Sequence, residues 1–312
     1  MKSSVRHYTP VALLLAVILV VSSCLSLVTG RREQDDRPLV LATTYPLYVA
    51  AQNILGGTDA VRVEMLSGVG TGCLHDYQLS PADRLLLAEA DLVLCNGVGA
   101  EPFLDGLVEE SRRLNTSAGV AEEQLLCADH HHEEGEHHHE EEYNEHLWLS
   151  PTLYKQQVAA LLEPLAQVGE LEIGLCRENM AHYMNYIDYV WAQMPLAQLE
   201  GTPCVLFQDS LSYLARDLHL DVQMTLAVDG DSGIAAADLA AVERLAREYP
   251  NLILLYDTQY PIRYSGVDGL VAAEQVLALE TAVTGEGDPH DWLSAMERNA
   301  QKLQTLVGGD TP

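Results

Sequence analysis

The chain has 312 residues, 48% of them apolar, and carries 17 Lys and Arg against 46 Asp and Glu, a net charge of −29. This length and apolar content predict two domains with real cores and exclude global disorder. The acidity excludes nucleic acid and anionic lipid headgroups as the main partner, because both need clustered Lys and Arg, and it suits a protein that handles cations.

Lys2 and Arg6 form a short basic region ahead of Val11 to Val21, an unbroken apolar run of 11 residues. A membrane-spanning helix needs about 20 such residues, so the run reads as the core of a signal peptide. Val21-Ser22-Ser23-Cys24 looks like a bacterial lipobox. Residues 1–23 are then a removable lipoprotein signal, and Cys24 is the lipidated N-terminus. Residues 24–38, with Arg31-Arg32-Glu33-Gln34-Asp35-Asp36, read as a flexible tether. The expected location is extracytoplasmic, lipid-anchored to the cell membrane through Cys24.

From residue 39 strands and helices alternate. Leu39 to Thr44 is a strand, Tyr45 to Leu55 a helix stopped by Gly56-Gly57, and Val61 to Leu66 a second strand. Ser80-Pro81-Ala82-Asp83 opens the next helix, with Ser80 as N-cap, Pro81 at the first helical position and Asp83 closing a capping box. Asp91 to Cys95 is a buried strand, and Pro102 to Arg113 is predicted as a helix. After residue 150 the rhythm resumes. Helices are predicted from Ser150 to about Ala166, Ser210 to Leu218, Ala237 to Tyr249, Leu270 to Glu274 and Pro289 to Val307. Strands are predicted at Val205–Phe207, Leu252–Tyr256 and Val276–Leu279. Strands separated by helices imply parallel sheets covered on both faces. One stretch departs from this: Gly169 to about Gln198 has helical apolar spacing and no turn signal before Pro195. As one helix of about 28 residues it would span about 40 Å and serve as a rigid connector. The predicted fold is therefore α/β, two lobes with parallel sheets joined by one long connecting α-helix. The lobes are 39–168 and 200–312, with the connector at 169–199.

Residues 129–146 read DHHHEEGEHHHEEEYNEH, seven His and seven Glu in 18. The segment has no apolar period and reads as a solvated loop. Imidazole suits borderline metals, and Glu raises the local concentration of cations. His130, His131, His132, His137, His138 and His139 are thus accessory capture residues that bind zinc weakly and hand it on. A tighter site needs ligands on folded elements. His75 and His146 each stand in a loop just before a capped helix, and in open α/β sheets ligands collect at the carboxyl ends of strands. Beyond Cys24 the chain has Cys73, Cys95, Cys127, Cys176 and Cys204, an odd number with no C-x-x-C spacing, which argues against a thiolate zinc site.

Several pieces, in order, resemble the cluster A-I (ZnuA/TroA-type) metal-binding lipoproteins of ABC importers. They are Thr43-Thr44-Tyr45-Pro46-Leu47-Tyr48, His75-Asp76-Tyr77 with Ser80-Pro81, and Ala90-Asp91-Leu92-Val93 with Asn96-Gly97 and Glu101. His146-Leu147-Trp148-Leu149-Ser150-Pro151 and Phe207-Gln208-Asp209-Ser210 follow. The resemblance covers about residues 39 to 308. It implies a metal held in the interlobe cleft by four positions, of which His75 and His146 match the first two and Glu280 the fourth. The third is normally His in zinc proteins or Glu in manganese proteins, and here it is Gln208. Three arrangements are open: Gln208 coordinates through oxygen, a water replaces it, or Asp209 or a loop His substitutes.

The function expected is capture of Zn2+, in preference to Mn2+, and its delivery to an ABC transporter membrane permease with its ATPase. The protein is expected to be a monomer, with no catalysis and no nucleic acid. A zinc-buffering or cell-adhesion lipoprotein with a degenerate cleft is the alternative. A secreted zinc hydrolase is disfavoured by the lack of H-E-x-x-H and G-x-S-x-G motifs.

Overall fold

The computed structural model describes residues 17, 19, 35–66, 77–128, 143–226, 234–259, 267 and 269–308. Cys24, Cys73, His75 and the tract 129–142 lie outside them. Residues 1–37 and 38–312 form two compact units, and both lobes lie in the second. Among the described residues no helix is long and apolar enough to cross a membrane.

The first lobe is built on β1 (Leu39–Ala42), α1 (Tyr45–Leu55), β2 (Arg62–Met65), α2 (Pro81–Glu89), β3 (Leu92–Cys95) and β4 (Arg113–Asn115). Its sheet is wholly parallel, in the order β2-β1-β3-β4. The second lobe repeats the plan. β5 (Pro203–Leu206), β6 (Asp221–Thr225), β7 (Ile253–Asp257) and β8 (Val276–Leu279) form a parallel sheet in the order β6-β5-β7-β8. Between the sheets lie α3 (Pro151–Ala160), α4 (Leu162–Val168), α5 (Ile173–Trp191) and α6 (Leu196–Leu199). The second lobe adds α7 (Ser212–Asp217), α8 (Ala236–Glu248) and the closing α9 (Asp291–Gly308).

β1, β3 and β5 are apolar at every position because they are buried on both faces. Alternate residues of a strand point to opposite faces, and here they enter different cores. Leu39, Leu41, Val93 and Cys95 pack with Leu87 of α2 on the outer face of the first sheet. Val205, Phe207 and Leu254 pack with Val242 of α8 outside the second. The inner-facing residues Val40, Ala42 and Leu94, with Leu206, Leu255 and Leu279 of the other lobe, belong to one shared core with α1, α3, α4, α5 and α9.

The caps form as read. Ser80 Oγ accepts from Asp83 N at 3.2 Å while Asp83 Oδ2 accepts from Ser80 N at 2.7 Å, closing the box. Ser150 Oγ accepts from Leu153 N at the start of α3. Gly56 ends α1 in the left-handed region at φ 62, where a side chain would be strained.

Several readings change, among them the single helix read from Ser150 to about Ala166, which is the two helices α3 and α4. The helix predicted over Pro102–Arg113 is two single turns, Pro102–Leu104 and Glu110–Arg112, separated by Gly106 at φ 72. The chain then enters β4, an edge strand of three residues with no apolar pattern to betray it. β6, also an edge, was not anticipated either. The segment Leu270–Glu274 contributes only a turn at Ala273–Gln275. The connector is shorter than 169–199. α5 has 19 residues, about 28 Å at 1.5 Å each, and a separate short helix, α6, follows Pro195.

Candidate metal site

In each sheet the strand order reverses between two central strands, β1 and β3 in the first lobe and β5 and β7 in the second. Ligand sites in open α/β sheets form at the carboxyl ends of such strand pairs. At the first reversal Glu101 ties the loops together: its Oε1 accepts from Thr43 Oγ1 (2.7 Å) and Asn96 N (2.6 Å), and its Oε2 from Gly97 N (3.1 Å). Burial pushes the Glu101 carboxyl above its ordinary range, against the pull of those three donors. Asn96 then donates through Nδ2 to Glu145 O at 2.9 Å, which hangs the segment carrying His146 on this end of the sheet.

His146 is 5% exposed and starts the turn Leu147–Leu149 ahead of α3. Asn144 Oδ1 accepts both from His146 N (2.9 Å) and from His146 Nδ1 (3.0 Å), while Asn144 Nδ2 donates to Asp209 O (2.7 Å). The Asn144 amide orientation is thereby fixed, and with it the His146 ring, whose Nδ1 donates to Asn144 Oδ1. This is how a metal-ligating His is held, by a carbonyl oxygen on its other nitrogen.

At the second reversal stand Gln208, after β5, and Asp257, the last residue of β7. Gln208 Oε1 accepts from Asp257 N at 2.9 Å. The only Gln208 atom able to coordinate a cation is therefore engaged by one of its lone pairs. Asp257, 2% exposed, accepts from Gln259 N (2.9 Å), Gln259 Nε2 (3.3 Å) and Thr281 Oγ1 (2.8 Å). Burial raises its pKa; those donors oppose the rise and the nearby Glu280 charge adds to it.

Glu280 follows β8. Asn299 of α9 clamps its backbone, accepting from Glu280 N and donating to Glu280 O, both at 2.8 Å. Its carboxylate meets Arg298, whose Nε lies 2.8 Å from Oε1 and whose Nη2 lies 2.6 Å from Oε2. Lys302 Nζ stands 3.6 Å from Oε1. Burial pushes this carboxyl up, but the two cations outweigh it and hold it below its ordinary range. A cavity of about 360 Å³ opens beside it, lined in part by Thr258, Gln259 and Thr281.

The two halves are tied across the cleft. Besides Asn144 to Asp209, Trp148 Nε1 donates to Thr281 O at 2.7 Å and Trp292 Nε1 to Trp148 O at 3.2 Å. Gln208 and Glu280 therefore stand on the second lobe and His146 on the segment linking both, with His75 outside the described residues. Among the described residues no group of three or more His, Cys, Asp or Glu is arranged to hold a metal. Sequence reading missed three contributors. Asp257 could have been found from its place at a strand's carboxyl end, and Asn144 from its i,i+2 spacing to His146. Arg298 left no signal, because its pairing depends on how α9 docks. His219 ends the turn after α7 at φ 58, and His290 is exposed beside Asp288.

The sequence profile described as "ZnuA: Zinc-uptake complex component A periplasmic" matches residues 40–306. The manganese-binding lipoprotein MntA of Bacillus subtilis is 25% identical over 209 residues, 65% of this chain and 66% of MntA, just under two thirds of its length. A crystal structure of ZnuA superimposes with a TM-score of 0.68 at 21% identity, covering 88% of this chain and all of the other. The solute-binding protein FpvC of Pseudomonas aeruginosa, in complex with Mn2+, gives a TM-score of 0.68 at 19% identity over the same shares. These similarities support the two-lobed parallel fold.

Proposed function

The chain belongs to the ZnuA family, and on that premise we propose that it is an extracytoplasmic solute-binding protein that captures Zn2+ and delivers it to an ABC importer permease. The observation that carries the reading is the Asn144–His146 pair, which fixes the His146 ring where the two lobes meet. Two histidines, His75 and His146, with the Glu280 carboxylate make a nitrogen-rich set that favours zinc over hard cations, and Mn2+ is the competing cargo. Lipidation at Cys24 holds the protein at the membrane where the permease with its ATPase works, and the His-rich tract supplies weak accessory capture. No catalysis is required.

A second reading is favoured by one observation: Gln208 Oε1 and the Glu280 carboxylate are both engaged by protein donors. A cleft in that condition suits a zinc-buffering or adhesive lipoprotein.

Competitive titration of residues 25–312 with Zn2+ and Mn2+ separates the two. The importer reading expects one tight zinc site that survives deletion of 129–143. Gln208→His should tighten it, and Asn144→Leu, which lets the His146 ring turn, should weaken it about 10–100-fold. Loss of all zinc binding with the loop would reject the cleft as a metal site and leave buffering or adhesion.

A further inference from the structure

We propose that Arg298 is a built-in competitor for the metal: it pairs with the Glu280 carboxylate, yields it to a bound cation and reclaims it on release. The inference rests on the zinc-binding reading above and adds a residue that sets affinity and release.

Three observations carry it. The first is geometry. Both oxygens of Glu280 are taken by the Arg298 guanidinium, at 2.8 Å to Oε1 and 2.6 Å to Oε2, the forked pairing in which Arg matches a carboxylate. Lys302 does not share this role equally, since its Nζ donates to Ala278 O at 2.8 Å and stays 3.6 Å from Glu280.

The second is the setting. Asn299 fixes the Glu280 backbone from both sides, so the root of the side chain is rigid and only its torsions decide which partner it meets. The arginine side chain is 52% exposed and that of Glu280 23%. A pair this open is weak and separates without stranding a buried charge, which a fully buried pair could not do. The freed guanidinium would remain in water.

The third is charge. Of the four candidate ligands, two are neutral imidazoles and Gln208 is a neutral amide. The carboxylate of Asp257 is taken up by Gln259 and Thr281. Glu280 is thus the one anion in the set, and a cation bound there gains most from it. An arginine on that carboxylate lowers affinity by the strength of the pair, and its return when the cation departs opposes rebinding.

The test is Zn2+ titration of the full chain against a chromophoric chelator, with release followed by stopped flow, in wild type, R298M, R298K, E280Q and R298M/E280Q. R298M should bind Zn2+ about 1.5–5-fold more tightly, the range expected for a half-exposed pair, and release it more slowly. R298K keeps the charge without the fork and should gain less. The double variant should match E280Q, which binds more weakly than wild type. A damaged fold would lower affinity, so a gain cannot arise from it. Unchanged or weaker binding by R298M, with E280Q still impaired, overturns the proposal and leaves the zinc reading intact. Wild-type affinity in E280Q also overturns it, because Glu280 would then be no ligand. Absence of zinc binding in wild type itself would instead bring down the functional reading, and this inference with it.

Discussion

Glu101 is the residue on which the first lobe's end of the cleft hangs. Its carboxylate collects Thr43, Asn96 and Gly97, from the loops after β1 and β3, and Asn96 carries the link on to the His146 segment. Replacing it by Gln puts an amide N–H against donors that need an acceptor, and an unsatisfied buried donor costs about 1–3 kcal/mol. The pH dependence has a definite sign. Burial raises the folded-state pKa above the ordinary 4.5. The contribution of Glu101 to stability is therefore complete below about 4.5 and is lost as pH rises through the folded-state value. Gln does not titrate. Urea unfolding of wild type and Glu101→Gln across pH should show the stability of wild type falling relative to Gln as pH rises through the folded-state value. A rise relative to Gln would mean that the three donors, and not burial, govern this carboxyl. Glu101 itself was legible as part of a motif, but its partners were not: nothing in the spacing says that Thr43 and Asn96 converge, because that depends on β1 and β3 being neighbours.

Among the elements, α5 decides how the lobes are held. Cys176, Tyr183, Ile187 and Val190 form its buried stripe. They pack with α1, α3, α4 and α9 in the shared core. Tyr183 OH and Tyr154 OH lie 3.0 Å apart, and Tyr154 OH donates to Pro46 O in the first turn of α1. The stripe was readable from periodicity alone, as were the apolar central strands and the capped helix starts, because each is written in neighbouring residues. The ends of α5 were not, since Pro195 lies beyond the point where the helix actually stops. β4 was not readable, because it is three residues long and largely polar, and β6 was not read, because it is short and half-exposed. Ile187 is fully buried in the shared core. Truncation to Ala should cost about 2–5 kcal/mol by leaving a cavity that rigid neighbours cannot fill. A loss under about 1 kcal/mol in urea unfolding would show that α5 is loosely packed.

For the molecule from residue 38 onward, the inner faces of both sheets drain into one core, so neither lobe can unfold without stripping the other. Cross-lobe hydrogen bonds from Asn144, Trp148 and Trp292 add to this, as does the Tyr45–Asp291 contact between α1 and α9. Two lobes with separate cores would melt in two steps. A shared core predicts one transition in calorimetry, with the calorimetric and van't Hoff enthalpies equal. Metal binding then stabilises the whole and not the lobe that contributes more ligands. At free Zn2+ 100-fold above the dissociation constant the gain is about 2.7 kcal/mol, which for a domain of this size lifts the transition by roughly 5–10 °C without splitting it. A second peak appearing on zinc addition, or one lobe melting at its metal-free temperature, would show that the lobes are independent bodies. In that event delivery would use hinged opening. With a single transition the lobes melt as one body, and the Glu280–Arg298 pair, both of whose members line the cavity, is where the site itself can rearrange on release.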